Sequence, residues 1–268
     1  MQQKTAQLSG TELAYTVHEN NGAPVLLLVH GFGEDGSVWN NQVAELNTRY
    51  RLIVPDLPGS GRSPYCEPMM DIDAMAALLH ELVGYEQAGT HLMFGHSMGG
   101  YITMAYAEKF GESLSAFGLV HSSAYADSEE KKAARRKSIG FIKENGALKF
   151  LQQTLPNLFA KKYVEEHKKA LGELLEKAAL FAPETLIGYY EAMIRRPNRT
   201  ETLKKAVVPV LFIAGVYDEA VPCSHTLEQS HLPDISYIHV LEKSAHMGML
   251  EEPGELNQAI NEFLNHLS

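Results

Sequence analysis

The 268-residue sequence is short of several things, and each shortage closes a class of explanation. It has two cysteines, Cys66 and Cys223, with no C-x-x-C pair and no zinc-ligand spacing. Neither a disulfide framework nor a zinc site is expected, and a reducing compartment is. Positive charge is also scarce. Twenty-three Lys plus Arg against 33 Asp plus Glu leave a formal charge of -10, which opposes binding to nucleic-acid phosphates and anionic lipid surfaces. The longest aliphatic run, VLLLV at 25–29, is too short to cross a bilayer, and the opening MQQKTAQLSG has no apolar signal-peptide core. These features predict a cytoplasmic protein with no membrane and no nucleic-acid partner. Internal repeats and low-complexity tracts are absent as well.

What is present reads as a single buried core. Hydrophobic residues make up 45% and charged ones 21%, a balance that suits a globular chain. Short apolar runs bounded by Gly, Pro or Asp recur at 25–29, 52–54, 91–94, 116–120, 209–214 and 236–240. Runs of that length without polar alternation are expected of strands buried on both faces. Segments of helical period lie between them, such as MAALLHELVGYE from 75 and YITMAYAEKF from 101. The alternation predicts an α/β fold with a mostly parallel sheet covered by helices. The alternating start, KTAQLSGTELAYTVHE, predicts an antiparallel hairpin at one edge. Between 122 and 200 no strand pattern appears and the period is helical, so this stretch is expected to form an inserted lid on a core of 1–121 and 201–268.

GHSMG, Gly95 to Gly99, has the form G-x-S-x-G and follows a predicted strand ending at Phe94, with a helix starting near Met98. A sharp strand-to-helix turn strains the serine backbone and lifts the Ser97 hydroxyl clear of the sheet. Only glycines at 95, 99 and 100 avoid collision with such a turn. A serine hydroxyl needs a base to take its proton, and that base needs a carboxylate to hold its tautomer. Downstream, Asp218 follows the strand PVLFIAG and His246 follows the strand SYIHV, so both fall in loops at strand C-terminal ends. The order Ser, Asp, His is the one expected when all three project from one edge of a parallel sheet.

With these motifs in sequence, the chain resembles the α/β-hydrolase fold family, and its capped serine esterases and lactonases in particular. The resemblance extends over nearly the whole length. HGFGEDGSVW, residues 30–39, is similar to the family's oxyanion loop, and PDLPGSGRS, residues 55–63, to its turn after the next strand. A sheet of about eight strands is implied. Charge developing on a carbonyl oxygen needs fixed donors, and the backbone N–H groups of Met98 and Phe32 are the candidates. His96 adjoins the nucleophile but is expected to be structural or pocket-lining, as is His30, which is expected to brace the oxyanion loop. Asp56 is the rival carboxylate, but its DLPGSG context reads as a turn. Twelve histidines are scattered without a metal spacing, so no metal and no cofactor are expected. The arginine pairs at 135–136 and 195–196 read as solvated helix faces.

Aspartate-nucleophile relatives on this fold, the haloalkane dehalogenases and epoxide hydrolases, are disfavoured because Ser97 holds their carboxylate position. The expected activity is hydrolysis of a small or medium carboxylic ester through an acyl-enzyme. Cleavage of a lactone or a carbon–carbon bond by the same triad is the alternative, and a slow-turnover small-molecule receptor is the alternative of another class. The pocket is expected between sheet and lid. Phe32, Trp39, Met98 and Met247 are candidates on one side, and Phe141, Phe150, Leu155, Phe159, Tyr189 and Met193 on the other. The natural substrate and the oligomeric state are not readable from the sequence.

Overall fold

A computed structural model describes residues 1–267. Eight strands form one sheet: β1 (Gln2–Leu8), β2 (Thr11–His18), β3 (Val25–Val29), β4 (Arg51–Pro55), β5 (His91–His96), β6 (Leu114–Val120), β7 (Val210–Gly215) and β8 (Ser236–Leu241). Their order is β1-β2-β4-β3-β5-β6-β7-β8. β1 pairs antiparallel with β2, and β2 with β4, while every later pairing is parallel. The predicted edge hairpin is therefore β1–β2, and the rest of the sheet is parallel.

The continuous apolar runs follow from burial on both faces. All five residues of β3 are buried, and successive side chains point to opposite sides. Val25, Leu27 and Val29 pack with Ile72, Met75 and Leu79 of helix Ile72–Tyr85 and with Ile102 and Tyr106 of helix Met98–Phe110. Leu26 and Leu28 face the other layer, with Val43 and Leu46 of helix Asn40–Leu46 and Leu256, Ile260 and Phe263 of helix Pro253–Asn265. Each fully buried leucine contributes about 1.5–3 kcal/mol relative to exposure.

The sheet order places β4 on one side of β3 and β5 on the other, so the chain reverses direction of winding at β3. In open α/β sheets the crevice outside the strand C-termini at such a reversal is where ligands bind. Between β6 and β7 the chain leaves the sheet through helices Glu129–Asn145, Ala147–Thr154, Lys161–Glu166, Lys168–Ala178 and Pro183–Arg195. No strand interrupts them among the described residues, as the helical period of 122–200 predicts. The two ends of this excursion are pinned together. Arg199 N–H donates to the Ala124 carbonyl at 2.7 Å, and Arg196 pairs with Asp127 at 2.9 Å.

Two expectations are corrected here. β5 runs through His96 rather than ending at Phe94, because Gly95 and His96 still pair with Leu119 and Val120 of β6. The arginine pairs are only half solvated: Arg136 and Arg195 are exposed, but Arg196 is buried and Arg135 nearly so. Both reach Asp127, whose side chain has no exposure, and Arg196 also lies 3.7 Å over the Tyr101 ring. No helix of the described residues is long and apolar enough to cross a membrane.

Candidate active site

Five strand ends converge. His30 to Phe32 follow β3, Ser97 follows β5, His121 follows β6, Asp218 follows β7, and His246 follows β8. Ser97 is the N-cap of helix Met98–Phe110, with φ 50° and ψ -113°. That backbone is rare for a residue with a Cβ and costs about 1–3 kcal/mol. Close packing imposes it. A Cβ on Gly95 would overlap the Gly99 carbonyl, and one on Gly99 would overlap the Val29 carbonyl. The Ser97 carbonyl accepts from Gly100 N–H at 2.9 Å and from Ser122 Oγ at 2.7 Å, which fixes the bend. Ser97 is partly exposed, and its hydroxyl has no hydrogen-bond partner among the described residues.

His246 Nδ1–H donates to Asp218 Oδ2 at 2.8 Å. A proton held on Nδ1 leaves the Nε2 lone pair free, the tautomer a general base requires. Asp218 Oδ1 accepts from the backbone N–H of Ala220 at 2.9 Å and of Val221 at 2.8 Å. Burial alone would raise the Asp218 carboxyl. The charge of His246 and hydrogen bonds from His121 and His246 outweigh it and hold the group far below the ordinary carboxylate range.

The histidine loop is tied at every amide from 245 to 248. Ala245 and Met247 N–H donate to Glu251 Oε1, His246 N–H to the Leu158 carbonyl, and Gly248 N–H to His121 Nε2. Glu251, which burial raises above its usual value, also takes Ala160 N–H at 2.7 Å, so the helical excursion and the histidine loop share an anchor.

His96 is a second fixed point. Its Nδ1 lies 3.0 Å from Glu34 Oε2 and its Nε2 2.9 Å from the His246 carbonyl oxygen. With Glu34 ionised both neighbours accept, and a ring that donates twice is favoured in its charged form. Burial opposes charge on His96, but Glu34 outweighs it and raises the group. Burial likewise pushes Glu34 up, and the His96 charge, its hydrogen bond and Gly31 N–H pull it below the ordinary range. This buried pair joins the loop after β3 to the loop after β8. His30 adds a neutral brace: Nδ1–H donates to the Gly31 carbonyl at 2.9 Å, and Nε2 accepts from Leu57 N–H at 2.9 Å. Asp56 is occupied elsewhere, by Gly36 N–H at 3.0 Å and Arg62 Nε–H at 2.9 Å.

Residues 26–259 match the Alpha/beta hydrolase family. The chain belongs to that family. The solved structure of a malate-bound thermophilic esterase from Thermogutta terrifontis superposes with a TM-score of 0.91 at 28% identity, over 100% of this chain and 99% of that one. The 3-oxoadipate enol-lactonase 2 of Acinetobacter baylyi is 24% identical over 255 residues, 92% of this chain and 91% of the lactonase. Lipase 3 of a Moraxella strain is 36% identical over 122 residues, 44% of this chain and only 38% of the lipase.

The sequence-predicted pocket residues fall in different places. Phe32 is partly exposed and stacks on Tyr190 at 4.4 Å, with Phe150 edge-on at 6.4 Å. Phe141 packs beside Phe150, and Leu155, Phe159 and Met247 join the layer that holds Phe94 and Phe263. Trp39 and Tyr189 have no exposed surface, so they line no space open to a water-sized molecule and are core. The Tyr189 hydroxyl is taken up by the Pro58 carbonyl and Ser60. Met98 and Met193 lie with Tyr189 in the layer on the other face of the sheet. Both aromatics of that helix meet Phe32, Tyr190 stacked at 4.4 Å and Tyr189 edge-on at 6.3 Å, but only Tyr190 is partly exposed. Sequence reasoning also passed over Glu34 and His121. The available signals were an acid inside HGFGED and a histidine immediately after a strand.

Among the described residues, His121, Asp218 and His246 bring potential metal-ligand atoms within 4.8 Å of one another. The Gly248 amide fixes the His121 proton on Nδ1, toward Asp218, so the trio suits holding protons between nitrogen and oxygen.

Proposed function

We propose that the chain is a serine hydrolase that cleaves small or medium carboxylic esters through an acyl-enzyme. The observation that carries this reading is the strained Ser97 at the end of β5, with a His246–Asp218 pair of the required tautomer at the ends of β8 and β7. Ser97 Oγ attacks the ester carbonyl while His246 Nε2 takes its proton. The oxyanion faces the backbone N–H groups of Phe32 and Met98, and each such donor contributes about 2.7–4 kcal/mol to transition-state stability. Asp218, ionised by its four donors, balances the imidazolium. His246 then protonates the leaving alcohol, and water repeats the sequence on the acyl-serine. In apo sites the nucleophile-to-base hydrogen bond is commonly long and tightens when substrate binds.

Residues 122–200 serve in this reading as a lid on a core of 1–121 and 201–268, with Phe32, Phe150 and Tyr190 as its apolar contact with the oxyanion loop. The likeness to an enol-lactonase over 92% of the chain supports lactones as a second substrate class, since the same acyl–oxygen bond breaks. The test is a fluorophosphonate label mapped by mass spectrometry, together with turnover of p-nitrophenyl acetate, p-nitrophenyl butyrate and an enol-lactone. Label on Ser97, with turnover abolished in Ser97→Ala, is the expected outcome. Full turnover in that variant refutes the proposal.

A further inference from the structure

The triad does not account for His121, a wholly buried histidine bonded to the triad's own carboxylate. It stands directly after β6 with φ 48°, a left-handed backbone that residues with a Cβ seldom adopt. Its side chain has no exposure, so it meets neither solvent nor a substrate. Nδ1 lies 3.2 Å from Asp218 Oδ2, the same oxygen that receives His246 Nδ1–H at 2.8 Å. On the far side of the ring, Nε2 accepts from Gly248 N–H at 3.3 Å. An amide can only donate, so the proton of this ring is on Nδ1 and points at the carboxylate. Burial keeps the ring neutral, pushed down to about 4 despite Asp218 beside it.

We propose that His121 is a positioning residue of the hydrolytic reaction: its Nδ1–H holds Asp218 Oδ2 in place and divides that oxygen's charge, so His246 stays an unprotonated base to lower pH. The inference rests on the reading of Ser97, Asp218 and His246 as a working triad. Asp218 Oδ1 is filled by two backbone amides, so Oδ2 is where the carboxylate's strength toward His246 is set. With a second donor there, the carboxylate stabilises an imidazolium less in the resting enzyme and cannot swing away from His246. The other ionisable groups facing this cluster are His96, whose ring is 6.0 Å from His121 and which is paired with Glu34, and the nearby Cys223 and Glu251. None of these donates to Oδ2.

Two substitutions divide the ring's two contacts between them. His121→Asn puts an amide nitrogen near the Nδ1 position and keeps a donor for Asp218. His121→Gln puts an amide oxygen near the Nε2 position and keeps an acceptor for Gly248 while losing the donor. For kcat/KM on p-nitrophenyl butyrate between about pH 5 and pH 9, the acid limb of His121→Gln is expected to move up by about half a unit or more, with that of His121→Asn on the wild type. A purely structural tie through Gly248 predicts the reverse order of damage and no shift of either limb. Coincident limbs for wild type and His121→Gln overturn the proposal. So does an equal shift in both variants.

If a variant fails to fold, 15N-histidine NMR of the wild type decides the matter. His121 must hold its proton on Nδ1 and stay neutral across that range, and a proton on Nε2 or a charged ring overturns the proposal. Fluorophosphonate labelling separates the two levels. An unlabelled wild type sinks the triad reading and this inference with it, whereas a labelled wild type with coincident limbs sinks the role of His121 alone.

Discussion

The histidine loop, residues 244–248, and the helical excursion, residues 129–195, are bonded to each other at Leu158 and share Glu251 as an anchor, yet they are held by different means. In the loop, four successive amides are bonded to partners on other elements, and the His246 carbonyl is bonded as well. Along the outer face of the excursion the ion pairs are local and exposed, such as Lys162 with Glu166 and Lys169 with Glu173. Its long-range polar anchors are spaced along it: Asp127 receives Arg135 and Arg196, Ala160 meets Glu251, Lys177 reaches Ser37, and Tyr189 bonds to Pro58 and Ser60. Stabilising a developing charge requires donors fixed before the reaction. In the proposed function, accommodating different acyl groups would require a cover whose packing can adjust, and the two regions would divide these demands.

The largest way to break this comparison is chemical. Ser97→Ala is expected to lower kcat/KM on p-nitrophenyl acetate by about 10⁴-fold or more, with the urea midpoint unchanged, because the variant removes the proposed nucleophile and no packing. Gly99→Ala tests the opposite. Its Cβ overlaps the Val29 carbonyl, and two backbones cannot both yield, so a loss of about 4 kcal/mol or more in unfolding free energy is expected. A Gly99→Ala protein melting with the wild type shows that the turn is not imposed by packing.

Asp127→Ala probes the excursion. Two buried or nearly buried guanidinium groups lose their carboxylate, a change expected to cost about 3–5 kcal/mol. Limited proteolysis is expected to cut within 129–195 before the sheet. Ser97 labelling should survive, since none of the Asp127 partners touches the triad. Loss of labelling together with new cleavage sites means that the excursion also holds the nucleophile, and the contrast fails.

Most of the sheet is legible because burial on both faces leaves apolar runs that no other element of that length explains, as VLLLV shows. The strand end at β5 is not, since Gly95 and His96 carry no apolar signal and stay in the sheet through pairing with β6. Ser97, Asp218 and His246 are legible as candidates because each follows a recognisable strand. The arginines misled because a helix-borne charge run looks alike whether or not a distant acid waits for it. Tyr189 misled because both it and Tyr190 meet Phe32, and pattern alone does not say which of two adjacent aromatics is walled in by the core. Glu34 is hidden for a related reason: a carboxylate in a polar loop reads as solvated until its partner, 62 residues away, is known.

That pair gives the finest test. Glu34→Gln keeps the shape and the acceptor for Gly31 and His96 but removes the charge that keeps His96 protonated. Glu34 is lowered from 4.5, so its contribution is present above that value and is lost as the pH falls through its folded pKa. His96 is raised from 6.5, so its contribution is complete below that value and fades as the pH rises through its folded pKa. The stability gap between wild type and Glu34→Gln should therefore be widest between 4.5 and 6.5, at about 2 kcal/mol, and shrink on going alkaline. Urea unfolding of both proteins from about pH 5 to about pH 9 checks the sign. A gap that stays flat or widens over that whole range means that His96 is neutral, and the loop after β3 is then joined to the histidine loop by ordinary hydrogen bonds.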